Sequence, residues 1–91
     1  MHEPIGVKID REVEAGYVRY RGLAPGERVA RTQRFGEDVN VDYDAANDVL
    51  GIEILAFDEP ALAVARTVAA QHGLVFPRDV GGATVTERRE A

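Results

Sequence analysis

The chain is 91 residues long, 45% hydrophobic and 30% charged, with a formal net charge of −5 and no cysteine. That length supports one domain with one modest core, burying roughly 60–65% of the unfolded surface. Disulfides, thiolate chemistry and cysteine-based metal sites are excluded, and the acidic balance argues against a nucleic-acid partner.

Serine is also absent, Lys8 is the single lysine, and His2 and His72 stand far apart in sequence. A nucleophile–histidine–acid arrangement is therefore not expected, and the sequence points to no catalytic residue, no cofactor and no metal. No apolar run approaches the ~20 residues that span a bilayer. The first ten residues, MHEPIGVKID, lack the pattern of a signal peptide. A cytoplasmic, membrane-free protein is the expectation. Charge is unevenly distributed. Arg11, Arg19, Arg21, Arg28, Arg31 and Arg34 precede Phe35, whereas Glu37 to Glu59 holds acids and no basic residue.

In chain order, Ile5, Val7 and Ile9 alternate with Gly6, Lys8 and Asp10, which predicts a first strand. After a charged turn, GYVRYRG predicts a second, with Tyr17, Arg19 and Arg21 on one face and Val18 and Tyr20 on the other. Pro25-Gly26 marks a turn. RVARTQRF predicts a third strand at a sheet edge, since neither of its faces is cleanly apolar. VNVDY and VLGIEIL predict strands four and five, joined by a hairpin loop over Ala45 to Asp48. Val39, Val41, Tyr43, Leu50, Ile52 and Ile54 are the inward positions. Gly51, inside a strand, signals a bulge or a close approach, with the helix or a second subunit as the favoured neighbour.

The period then changes to that of a helix. Asp58 or Glu59 can cap it, and Pro60 suits its first turn. Ala61, Leu62, Ala65, Val68 and Ala69 form its apolar stripe, Gly73 its stop, and Leu74 folds back. His72 lies in its last turn, where it complements the helix dipole. LVFP reads as a short last strand or packed extension. The fold class is α+β: an antiparallel β-meander of about five strands against one helix of the C-terminal half, in two layers. Residues 1–77 form this domain, and 78–91 read as a mobile tail.

DREVEAGYVRY, followed by VNVDYDAANDVLGIEIL, resembles the domain of unknown function 2283 family of small bacterial proteins. The resemblance runs from Ile5 to Phe57 and rests on Asp10, Glu12, Glu14, Tyr17, Val18 and Arg19, then on Val39 to Asp44 and Val49 to Leu55. Arg11 and Gly16 stand where the family usually has a proline after the aspartate and a bulky apolar residue. The resemblance implies a fold and no biochemical activity.

Asp42, Asp44, Asp48 and Glu53 can be laid on a calcium loop at positions one, three, seven and twelve, but Ala46 and Asn47 fall where a ligand and a glycine are required. A hairpin with a solvated acidic face is the better reading. Arg19, Arg21 and Arg34 on neighbouring strands would offset Asp42, Asp44 and Glu53 in cross-strand ion pairs, a candidate interaction face. The expected role is non-enzymatic. The domain would act by self-association, as a dimer, or by protein–protein contact. An antitoxin-like regulatory partner domain and a carboxylate-based metal or small-ligand binder are the alternatives.

Overall fold

A computed structural model describes residues 2–78. It contains β1 (Gly6–Asp10), β2 (Ala15–Arg19), β3 (Arg31–Phe35), β4 (Val39–Tyr43), β5 (Val49–Ile54) and α1 (Glu59–Gln71). All five strands and the helix fall where the residue patterns place them. The strands form one antiparallel sheet with α1 on one face. Of the expected tail, only Arg78 lies within the described residues. No helix among those residues is long and apolar enough to cross a membrane.

The strand order is β1-β2-β5-β4-β3, so the sheet is not a simple meander. β1 and β2 form a hairpin. The chain then crosses to the far edge, and β3, β4 and β5 return as a three-stranded meander that seats β5 beside β2. The crossing puts β5 at the centre of the sheet, and its residues are the most apolar. The edges are β1 and β3; β3 was expected at an edge because arginine and threonine occupy it.

The helix-facing side of the sheet carries Val18, Val39, Val41, Tyr43, Ile52 and Ile54, all buried. Ala61, Leu62, Ala65, Val68 and Ala69 of α1 are also buried, so the small-residue stripe is the face that meets the sheet. Alanines there let the helix axis come close, and Val and Ile fill the remaining volume. The Asp58 side chain accepts a hydrogen bond from the Ala61 N–H at 2.9 Å and caps the helix. At the other end, Gly73 (φ 69°) lets the Leu74 N–H return to the Ala69 carbonyl, a Schellman closure. That turn buries Leu74, which forms a parallel bridge with His2.

One expected inward residue faces the other way. Asp42 pairs with Gly51 and Tyr43 with Val49, so Leu50 has no partner on β4. The extra residue is a β-bulge. It puts Val49 against the core and turns Leu50 to the helix-free face, where it remains buried. Leu23 and Val29, from the segment that crosses between β2 and β3, line the same groove as Leu50.

Candidate interaction face

The helix-free face is built from cross-strand rows. Lys8, Tyr17, Glu53, Asn40 and Arg34 lie side by side across β1, β2, β5, β4 and β3. The next row is Gly6, Arg19, Gly51, Asp42 and Thr32. Tyr17 is the organising group. Its ring lies diagonally over Gly51, which has no side chain to obstruct it. Its hydroxyl donates to Asp42 Oδ2 at 2.9 Å. The close neighbour that Gly51 admits is thus an aromatic ring of the next strand, not the helix or a second subunit.

Asp42 is engaged twice, since Thr32 Oγ1 also donates to it at 2.6 Å. Glu53 accepts from Asn40 Nδ2 at 3.0 Å. Arg19 lies over the Tyr17 ring at 5.2 Å from its centroid. Arg34 donates to the Gly36 and Glu37 carbonyls. Asp42, Glu53, Arg19 and Arg34 therefore share one face, and each uses a partner other than the opposite charge set against it by sequence. Burial first, and then the Asp42 carboxylate, push the Tyr17 hydroxyl well above the ordinary tyrosine range.

Arg21 and Asp44 do come together, at the end of the sheet. The Arg21 guanidinium bonds Asp44 Oδ2 at 2.8 Å and both carboxylate oxygens of Glu27. Asp44 is buried, and its Oδ1 also accepts the Ala46 and Asp48 N–H groups, folding the β4–β5 loop around itself. Glu27 takes the Ala24 N–H. One arginine thus fastens the crossing segment to the hairpin loop. Its charge, with these N–H donors, holds Asp44 below the usual carboxylate range and Glu27 down to about 2.

His72, at the end of α1, is exposed, but both of its ring nitrogens have protein partners. Its Nδ1 lies 2.8 Å from the Val68 carbonyl and its Nε2 3.1 Å from the Tyr43 hydroxyl. The Arg31 guanidinium lies over the Tyr43 ring, 3.9 Å from its centroid. Among the described residues no three His, Asp or Glu side chains converge into a metal-ligand set. The four acids of the calcium-loop pattern are dispersed between the sheet face and the hairpin loop.

A groove of about 550 Å³ runs along the β1 side of this face, with Val7, Tyr17, Arg19, Leu23, Val29 and Leu50 among its walls. The β1 hairpin and the residue before it leave apolar side chains in water: Ile5 is 64% exposed, Val7 37% and Val13 67%.

The family model for a protein of unknown function, domain of unknown function 2283, matches residues 7–57. The chain belongs to this family. The match begins inside β1 and ends at Phe57, immediately before the Asp58 cap, so the family unit is the whole sheet with its loops. No curated protein and no solved structure matches the chain.

Tyr17, Glu27 and the outer edge of β1 were missed by sequence reasoning. An aromatic residue on one strand and a glycine on another are the one signal that could have paired Tyr17 with Gly51, and it requires knowing that β2 and β5 are neighbours.

Proposed function

We propose that this member of the domain of unknown function 2283 family is a non-enzymatic interaction module that works by self-association. The observation that carries the proposal is the β1 hairpin, whose Ile5, Val7 and Val13 stay exposed beside a strand edge that no other strand among the described residues pairs. A small domain gains by covering such an edge. The functional-looking polar groups support the same reading. Asp42, Asp44, Glu27, Arg21, Tyr17 and His72 are spent on internal hydrogen bonds that hold loops and strands in place.

The test is native mass by light scattering across protein concentration, at low and high salt. A concentration-dependent dimer is the expected result. A monomer throughout, at concentrations up to about a millimolar, where the weakest specific association would register, removes self-association. It would leave a regulatory, antitoxin-like domain that docks the same edge on a different protein.

A further inference from the structure

Resting on that self-association, we infer that β1 pairs antiparallel with β1 of a second copy across a two-fold axis at Ile9, joining two sheets into one of ten strands.

The backbone decides which groups are free. The Tyr20 N–H donates to Leu50 on β5, so even-numbered residues of β2 turn their peptide groups toward β5 and odd-numbered ones toward β1. Tyr17 opposes Lys8, and Arg19 opposes Gly6. Lys8 and Gly6 therefore bond inward, and Val7 and Ile9 present their N–H and C=O groups to the outside. Ile5 departs from this alternation, because its N–H is used on the Arg19 carbonyl at 2.7 Å.

A two-fold axis normal to the sheet keeps both helices on one side and pairs odd positions with odd. Three registers are then available on a strand this short. An axis at Val7 sets Ile5 opposite the partner's Ile9, but the Ile5 N–H is already taken. An axis at Lys8 sets lysine against lysine. An axis at Ile9 sets Lys8 opposite the partner's Asp10, and Asp10 opposite the partner's Lys8. These would be non-hydrogen-bonded pairs, in which side chains stand closest. Lys8 has no partner among the described residues, and Asp10 uses only Oδ1, on the Glu12 N–H at 3.1 Å. On the helix side, Ile9 already packs against the core, and its pairing with the partner's Ile9 would make the two cores continuous.

The other edge does not offer this. β3 carries Arg31 and Arg34 and no acid, so a symmetric pairing there would line four guanidiniums along the joint. A β1–β3 pairing does not close on itself and would propagate.

The experiment is charge reversal read by light scattering. Lys8→Glu alone, or Asp10→Lys alone, turns two attractive pairs into two repulsive ones and should weaken the dimer by about tenfold or more. The double reversal should restore it to within a few-fold of the original. Ile9→Cys gives a second readout in a chain that has no other cysteine. Residues facing each other in a hydrogen-bonded pair lie ~5.5 Å apart at Cα, so a short bifunctional thiol cross-linker should produce a covalent dimer. A dimer insensitive to either single reversal, or one left unlinked at Ile9→Cys, would overturn the β1 register while self-association stood. A wild-type chain that stays monomeric would overturn both.

Discussion

Gly51→Ala tests whether the Tyr17 ring, and not the backbone of β5, is what requires glycine. A Cβ at Gly51 would lie far inside van der Waals contact with the Tyr17 Cζ and hydroxyl. Gly51 is not among the positive-φ glycines, so the backbone itself accepts alanine. The ring is the far end of a side chain and can swing out. The cost is then the loss of what it does in place. The hydrogen bond to the Asp42 carboxylate contributes ~1.5 kcal/mol, the low end for a charged acceptor at a partly exposed site. Releasing roughly 50 Å² of ring surface to water costs ~1.2 kcal/mol. Replacing a strand glycine returns ~0.5–1 kcal/mol of backbone entropy.

The net effect is a destabilisation of ~2 kcal/mol, or a melting temperature lower by ~8–15 °C in a domain of this size. In a Tyr17→Ala background the ring is gone, and Gly51→Ala should instead stabilise by ~0.5–1 kcal/mol. Urea unfolding of the four proteins, followed by far-ultraviolet circular dichroism, gives the coupling directly. A coupling of ~2.5 kcal/mol is expected from these contributions. An equal cost of Gly51→Ala with and without Tyr17 would refute the reasoning and relocate the requirement to the strand backbone.

Asp58→Ala removes the helix cap and should lower stability by ~1 kcal/mol in the same urea assay, with a value near zero contradicting the capping role. Ala65→Leu inserts volume between α1 and the sheet at a fully buried position and should cost ~1–3 kcal/mol; an unchanged midpoint would mean the helix can lift without penalty. The Tyr17 hydroxyl is raised above its ordinary value, and that of Tyr20, whose hydroxyl bonds the Val75 carbonyl, is pushed up to about 12, mainly by burial. The folded state thus holds these protons more tightly than the unfolded one. Their contribution is complete below about pH 10 and lost as pH rises, so urea midpoints should fall in alkali. Flat midpoints up to about pH 12 would contradict it. Glu27 and Asp44 are shifted the opposite way, chiefly by Arg21, so their contribution is present above the ordinary carboxylate range and lost as pH falls toward about 2. Arg21→Gln should flatten that acid limb, and an unaltered limb would remove Arg21 as its cause.

What could be seen in the sequence follows from local physics. The helix was legible almost throughout: a cap at Asp58 or Glu59, of which Asp58 serves, Pro60, the five buried positions of the stripe and the Gly73 stop are all set within a few residues of where they act. Alternation likewise located each strand. Strand order was not legible, because a period of two says which way a side chain points and nothing about which strand lies beside it. Leu50 was misplaced for a related reason. A bulge adds a single residue, and one residue reverses the face of everything between it and the turn. The candidate face shows the same limit. Opposite charges at strand positions suggested ion pairs, yet Asp42 is taken by the Tyr17 and Thr32 hydroxyls. Arg21 reaches Glu27 through a crossing segment whose path no residue pattern encodes.

The crossing segment also explains why the two sheet edges differ. β5 holds the centre and carries Val49, Ile52 and Ile54, more apolar β-branched residues than any other strand. β3, reached after the crossing, is armoured with arginines that are already occupied: Arg31 lies over Tyr43, and Arg34 binds the carbonyls of its own turn. β1 has one lysine and one aspartate two residues apart, on the same face, with isoleucine between them. A strand built to repel every partner would carry a single sign of charge or a proline. β1 instead carries a pattern that repels itself in one register and complements itself in another. That selectivity is what a closed two-fold pairing requires and what an unpaired edge does not.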